Sequence, residues 1–229
     1  MNGGAIVRLA EVISYIVDKP LEPVSENLLV NRTTEIRNLN NIIKHHPMGI
    51  FGVAGETGIG KTTVLNFIGC DNVFSRRITL TFRESVESIL YDLLYNLSKN
   101  LESDEKLSKQ AQKIKEWVAE EVSTVKGFSL GISLYGSAGV GTQKAQTPRF
   151  NFFVAKEKLM DLIKEIVTVK GKFVLFIDEL DKESKDDVLK IVDTLKNELV
   201  FENVILIMTL PYSIYREYKQ ETWKMSLRT

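Results

Sequence analysis

Gly55-Glu56-Thr57-Gly58-Ile59-Gly60-Lys61-Thr62 matches the pattern G-x-x-x-x-G-K-[ST] at every fixed position. No other stretch of the chain restricts its fold so tightly, because the pattern works only between a buried strand and a helix. Both flanks are present. MGIFGVA, residues 48 to 54, is a short apolar run suited to a buried strand, and KTTVLNFIG, from Lys61, carries a helical apolar stripe. The glycines allow backbone conformations that turn several N–H groups around phosphate oxygens, and the helix adds its positive end. Lys61 is placed to reach the outer phosphates, and Thr62 to offer its hydroxyl to Mg²⁺. The phosphate cradle therefore runs from Gly55 through Thr63. A glycine-rich turn that merely joins a strand to a helix would need neither the lysine nor the threonine.

A second apolar strand leads into acids. KFVLFIDELD, residues 172 to 181, brings Asp178 and Glu179 to the carboxyl end of a strand, where ligand chemistry gathers in open α/β sheets. Asp178 is positioned to hold Mg²⁺, through water. Glu179, one residue on, points elsewhere and is the candidate base that polarises a water for in-line attack on a terminal phosphate. The plainer reading of these acids is a helix N-cap with flanking charge, which the complete phosphate loop disfavours. Leu180 and Asp181 fall in the following turn, with Asp181 read as structural. NVILIMTLP, residues 203 to 211, is the next strand, ending at Thr209, whose hydroxyl is placed either to sense the attacking water or terminal phosphate or simply to form a turn.

Between these motifs the periodicity is that of an α/β protein. TTEIRNLNNIIKH places Ile36, Leu39, Ile42 and Ile43 at helical spacing behind Thr33 and Thr34 as caps, and Pro47 closes it. RRITLTF alternates as a strand, and VESILYDLLYNLSKNL has an apolar face from Val86 to Leu101. Further helices are expected over 154 to 169 and 186 to 200, with a last one starting at PYSIYREY. Residues 103 to 125 turn polar around one thin stripe, Leu107, Ala111, Ile114, Val118, Val122 and Val125, which suits a helix docked on a core better than a coiled-coil seam. Residues 128 to 144 then alternate as a hairpin rich in glycine and serine.

That hairpin contains GSAGVGTQK, residues 136 to 144, an echo of the phosphate loop. Threonine stands where the loop has Lys61 and glutamine where it has Thr62, so the groups that meet phosphate and metal are missing. A proline follows where a helix should begin. The echo is read as a hairpin tip.

Composition excludes more than it selects. Thirty basic residues balance thirty acidic ones over 229 residues, so no global charge favours nucleic acid or a membrane surface. A lone cysteine, Cys70, and an adjacent pair, His45 and His46, provide neither a disulfide nor a metal set, which points to a reduced, cytoplasmic chain. AIVRLAEVISYIV near the start is amphipathic, charged and too short for a membrane span. The domains expected are an N-terminal helix and connector over 1 to 27 and a phosphate-loop core over 28 to 229 with an insertion at about 103 to 150.

LLVNRTTEIRNL, GETGIGKTT, FVLFIDELD and VILIMTL together resemble the AAA+ and related STAND ATPases, most of all archaeal ATPases and archaeal origin-recognition initiators, over roughly residues 28 to 215. The resemblance implies a three-layer P-loop NTPase core with a mostly parallel central sheet, in which the strand ending at Thr209 lies between the loop strand and the acidic strand. It implies ATP and Mg²⁺ as ligands, and adenine lying against residues 29 to 32, with Val30 and Arg32 as contacts. It further implies Asp178 at the metal position, Glu179 at the base and Thr209 as the first sensor. Such proteins continue into a fifth strand and a helical lid with a second sensor arginine, and the lid is expected to be absent or truncated where this chain reads KMSLRT. Arginine fingers act across subunits in many relatives; Arg216 and Arg228 stand in no motif and read as solvated arginines.

The function expected is ATP hydrolysis driving a conformational or assembly cycle, with further copies or a protein partner as associates. A nucleotide-dependent switch with little hydrolysis of its own is the alternative, as is a DNA-associated initiator, which the neutral charge does not support. Deleting residues 128 to 144 is expected to leave ATP binding intact in a calorimetric titration; loss of binding would show the echo to be part of the site.

Overall fold

The computed structural model describes residues 32–69, 73–81, 85–123, 151–217 and 219. The N-terminal helix and connector, Val30, the hairpin over 128 to 144 and Arg228 lie outside the described residues.

Four strands form one parallel sheet in the order β1-β4-β3-β2: β1 Gly49–Gly55, β2 Phe74–Thr79, β3 Phe173–Asp178 and β4 Val204–Pro211. The strand carrying Thr209 lies between the loop strand and the acidic strand, as the resemblance implies. Thr209 is not its last residue, since pairing with β1 continues to Gly55↔Pro211. The final helix begins after the proline, and residues 212–217 are helical.

Strand alternation explains the layering. Phe173, Leu175 and Ile177 of β3, with Val204, Leu206 and Met208 of β4, enter one core cluster, while Val174, Phe176, Ile205 and Ile207 enter the other. Both faces of the central strands are thus covered, which is why they read as unbroken apolar runs. The smaller cluster packs under α1 Thr33–His45 and α2 Lys61–Asn66 through Leu39, Ile43, Val64 and Leu65. The larger one gathers α3 Val86–Leu101, α4 Ser108–Ser123, α5 Phe152–Lys170 and α6 Lys185–Leu199.

Side-chain caps fix the starts of α3, α5 and α6. Ser85 accepts from the Ser88 amide at 3.1 Å while its own amide donates to the Ser88 hydroxyl at 3.0 Å, a reciprocal capping box for α3. Asn151 caps α5 through the Val154 amide, and Ser184 caps α6 through the Asp187 amide. At α1 the expected threonine caps are not used. Thr33 is already helical, Arg32 is the capping position, and no side chain closes it. The arginine is engaged elsewhere, on the phosphate loop.

The thin stripe of α4 docks on the chain's own core. Leu107, Ala111, Ile114, Val118 and Val122 are buried, and Trp117 stacks on Tyr91 with ring centroids 5.3 Å apart. Burial of the Tyr91 phenol pushes its pKa up to about 12, although the Asn151 amide that donates to it works in the opposite direction. Asp104 ties this region together. Its Oδ1 accepts from the amides of Lys106 and Leu107, and its Oδ2 lies 2.6 Å from the Lys170 ammonium. Burial alone would raise its pKa, but the Lys170 bond and the two amides more than offset this and hold it below the ordinary carboxylate value.

A carboxylate whose pKa is lowered on folding stabilises above its unfolded pKa and loses that contribution as pH falls through the folded value. Asp104→Asn is therefore expected to reduce the unfolding free energy by about 1–2 kcal/mol at neutral pH. Urea denaturation across the acid range should also show a shallower loss of stability for the variant than for the parent chain.

Candidate functional site

β1 ends at Gly55 and α2 begins at Lys61, so the residues between them form the loop, with Gly58 at φ 81° and Gly60 at φ 91°. Only glycine adopts these left-handed conformations without strain, which is the local reason for their presence. Glu56, Thr57, Gly58 and Ile59 are exposed, whereas Lys61 is only 6% exposed. The following helix is six residues long. Its dipole therefore contributes less than the sequence pattern suggests, and Lys61 is the one cation that the loop itself carries.

Lys61 curls back over its own loop. Its ammonium donates to the carbonyls of Gly55 at 2.9 Å and Glu56 at 2.6 Å, and lies 2.8 Å from Asp181 Oδ2. From the other side Arg32 donates to the Ile59 carbonyl at 2.7 Å and pairs with Glu35 at 3.3 Å. Thr63 lies in the first turn of α2.

Across the sheet Asp178 closes β3 and is 3% exposed. Its Oδ1 accepts from the Thr62 hydroxyl at 3.2 Å and from the Glu179 amide at 2.8 Å. A hydroxyl and a carboxylate 116 positions apart in sequence thus meet beside the phosphate loop. Between their strands lies β4: Val53 pairs with Thr209, and Ile177 with Met208, so Thr209 is in line with Asp178. Thr209 is fully buried, and its Oγ1 has no hydrogen-bond partner among the described residues. An unmet buried hydroxyl costs about 1–3 kcal/mol, which marks a place where a polar group is expected.

Glu179 adopts φ 67°, uncommon for a residue with a side chain, and opens a single 3₁₀ turn, Leu180–Lys182. Its carboxylate is about half exposed and sits 2.8 Å from the Lys182 ammonium. The hydrogen bond from Lys182 to Glu179 raises the lysine's pKa above its ordinary value, aided by the nearby charges of Asp181 and Asp178.

Of the residues expected at the site, Gly55 to Thr63, Asp178, Glu179, Thr209 and Arg32 share one end of the sheet. Arg216 is exposed in the last helical turn. The sequence reading missed Asp181, placed in the turn as a structural residue but paired with Lys61, and Lys182, the partner of Glu179. For Lys182 the signal is local, since positions three apart in a 3₁₀ turn return to one side and bring it back to Glu179; for Asp181, whose partner lies on the phosphate loop, no local pattern carries one.

The donor set suits a hard cation shared with a phosphate. The Thr62 hydroxyl and Asp178 carboxylate are oxygen ligands of the kind Mg²⁺ takes, and no group of three or more metal-ligating side chains occurs among the described residues. No described helix is long and apolar enough to cross a membrane. Compared with known protein families, residues 32–211 match the KAP family P-loop domain. No curated protein matches the sequence.

Proposed function

The chain belongs to the KAP family of P-loop NTPase domains, and from this premise we propose that it binds ATP with Mg²⁺ and hydrolyses it to ADP and phosphate. The observation that carries this reading is the contact between Thr62 and Asp178 beside a loop whose lysine is buried at its mouth. In the proposed site Gly55 to Thr63 enclose the phosphates, with Lys61 contacting the outer ones. Thr62 and Asp178 hold Mg²⁺, which when bound offsets phosphate charge. Arg32, at the edge of the loop, and Val30, which lies outside the described residues, would flank the adenine. Glu179 accepts the proton of the attacking water, and the buried hydroxyl of Thr209 donates to that water or to the terminal phosphate. Coupling of hydrolysis to a conformational or assembly cycle, in the AAA+ and STAND manner and with further copies or a protein partner, belongs to the same proposal.

In the alternative, a switch that scarcely hydrolyses, one way to keep turnover low is to hold Glu179 back, and Lys182 is the visible restraint. That pair is exposed on both sides, 57% and 47%, so it is worth at most about 1 kcal/mol. Such a hold slows turnover by no more than about fivefold. This pair by itself therefore does not lock the site.

Lys61→Ala is expected to lose ATP binding in a calorimetric titration. Glu179→Gln should bind ATP as the parent does while turnover falls at least about a hundredfold. Unchanged phosphate release by the glutamine variant would remove Glu179 from its assigned role. Lys182→Ala should shift turnover by less than about fivefold in a steady-state phosphate assay; a much larger rise would restore the switch reading.

A further inference from the structure

Lys61 enters the site with every donor in use. An ammonium has three N–H groups, and here they face the Gly55 carbonyl, the Glu56 carbonyl and the Asp181 carboxylate. The pair is well shielded, with side-chain exposures of 5% for Lys61 and 11% for Asp181. Nor is Asp181 a free surface group. Its neighbour Leu180 is fully buried in the main core, and the 3₁₀ turn they share packs against β4. The carboxylate is held where it is by the same strand end that supplies Asp178.

We propose that Asp181 is a resident anion that occupies Lys61 in the nucleotide-free protein and that phosphate must displace, so that Asp181 sets the affinity of the loop and makes binding depend on Mg²⁺. The proposal rests on the nucleotide-binding reading above. A phosphate oxygen seeks the same ammonium protons that Asp181 holds, and two anions beside one buried cation repel each other strongly where water does not screen them. The turn from 178 to 182 carries three carboxylates, Asp178, Glu179 and Asp181, against one ammonium, Lys182, and Lys61 brings the cations to two. A polyphosphate arriving alone therefore meets an excess of negative charge, which a divalent cation at Thr62 and Asp178 reverses. Asp181 is a positioning residue: it acts through Lys61.

The test compares ATP binding to the full chain in EDTA and in Mg²⁺ for the parent, Asp181→Asn, Asp181→Ser and Asp181→Glu. Removing the charge is expected to tighten metal-free ATP binding about tenfold, with a smaller gain in Mg²⁺. Asp181→Glu, which keeps the charge, should behave as the parent does. Nucleotide-free Asp181→Asn should unfold at a lower temperature, because Lys61 loses its counter-ion, yet show a larger upward shift on adding ATP. The serine variant serves if the asparagine variant does not fold. A residue that merely braces the turn would lower stability while leaving metal-free affinity unchanged or weaker, and that result would overturn the proposal. Lys61→Ala separates the two levels: if neither it nor the parent binds ATP, or both bind it equally, the assignment of the nucleotide to this loop fails, whereas if it loses the parent's binding while Asp181→Asn gains none, only the role of Asp181 falls.

Discussion

Parallel pairing of β4 with β1 on one side and β3 on the other brings three strand ends into one row, and everything at the site depends on that row. Because parallel strands need crossover connections, residues adjacent at the carboxyl edge are remote in sequence, as Thr62 and Asp178 are. The register leaves little freedom. A slip of one residue along β3 would turn Asp178 into the core and Ile177 toward the loop, because side chains alternate strictly. The two core clusters guard against the slip, since each takes alternate residues of β3 and β4 and neither would accept the other's set without exposing apolar surface.

Within that row the two charge pairs are unequal. Lys182 and Glu179 stand three residues apart on an exposed turn, where salt and water weaken their attraction. Lys61 and Asp181 are separated from water by the loop and the turn, and breaking such a pair without replacement leaves a charge stranded. The residue proposed to act on water is therefore loosely held, while the residue proposed to grip phosphate is tightly held. On the proposed reading the energetic threshold of the site is at phosphate entry rather than at release of Glu179.

Much of this architecture was legible in the sequence because it rests on local rules. The bounds of α1 and α3 follow from apolar periodicity, and α3 runs from Val86 to Leu101 as the stripe does. The meeting of phosphate loop and acidic strand follows from the general behaviour of α/β sheets. What escaped was decided by tertiary contact. Thr33 looks like a cap, yet Arg32 takes the capping position while its side chain reaches Ile59, a contact 27 residues away that no local pattern contains. Asp181 looks like a turn residue because its partner lies on another strand's loop. Sequence patterns report which side chains share a face of one element; they do not report which charges from separate elements end up within bonding distance.

Thr209 shows how far the same logic extends. A threonine at this point in an apolar strand would ordinarily turn its hydroxyl to a nearby backbone carbonyl, yet its Oγ1 is buried without a partner among the described residues. Among the other buried polar residues Asp104, Ser88 and Asp92 are bonded, whereas Ser98 Oγ and Glu198 Oε2, like Thr209 Oγ1, have no partner among the described residues. What distinguishes the Thr209 hydroxyl is its place, in line with Asp178 on the strand between the two motifs. Valine in its place would be no worse for the folded chain as it stands, so stability alone gives no reason for the hydroxyl. A polar ligand reaching this end of the sheet gives one, because it would complete the bond that the fold leaves open.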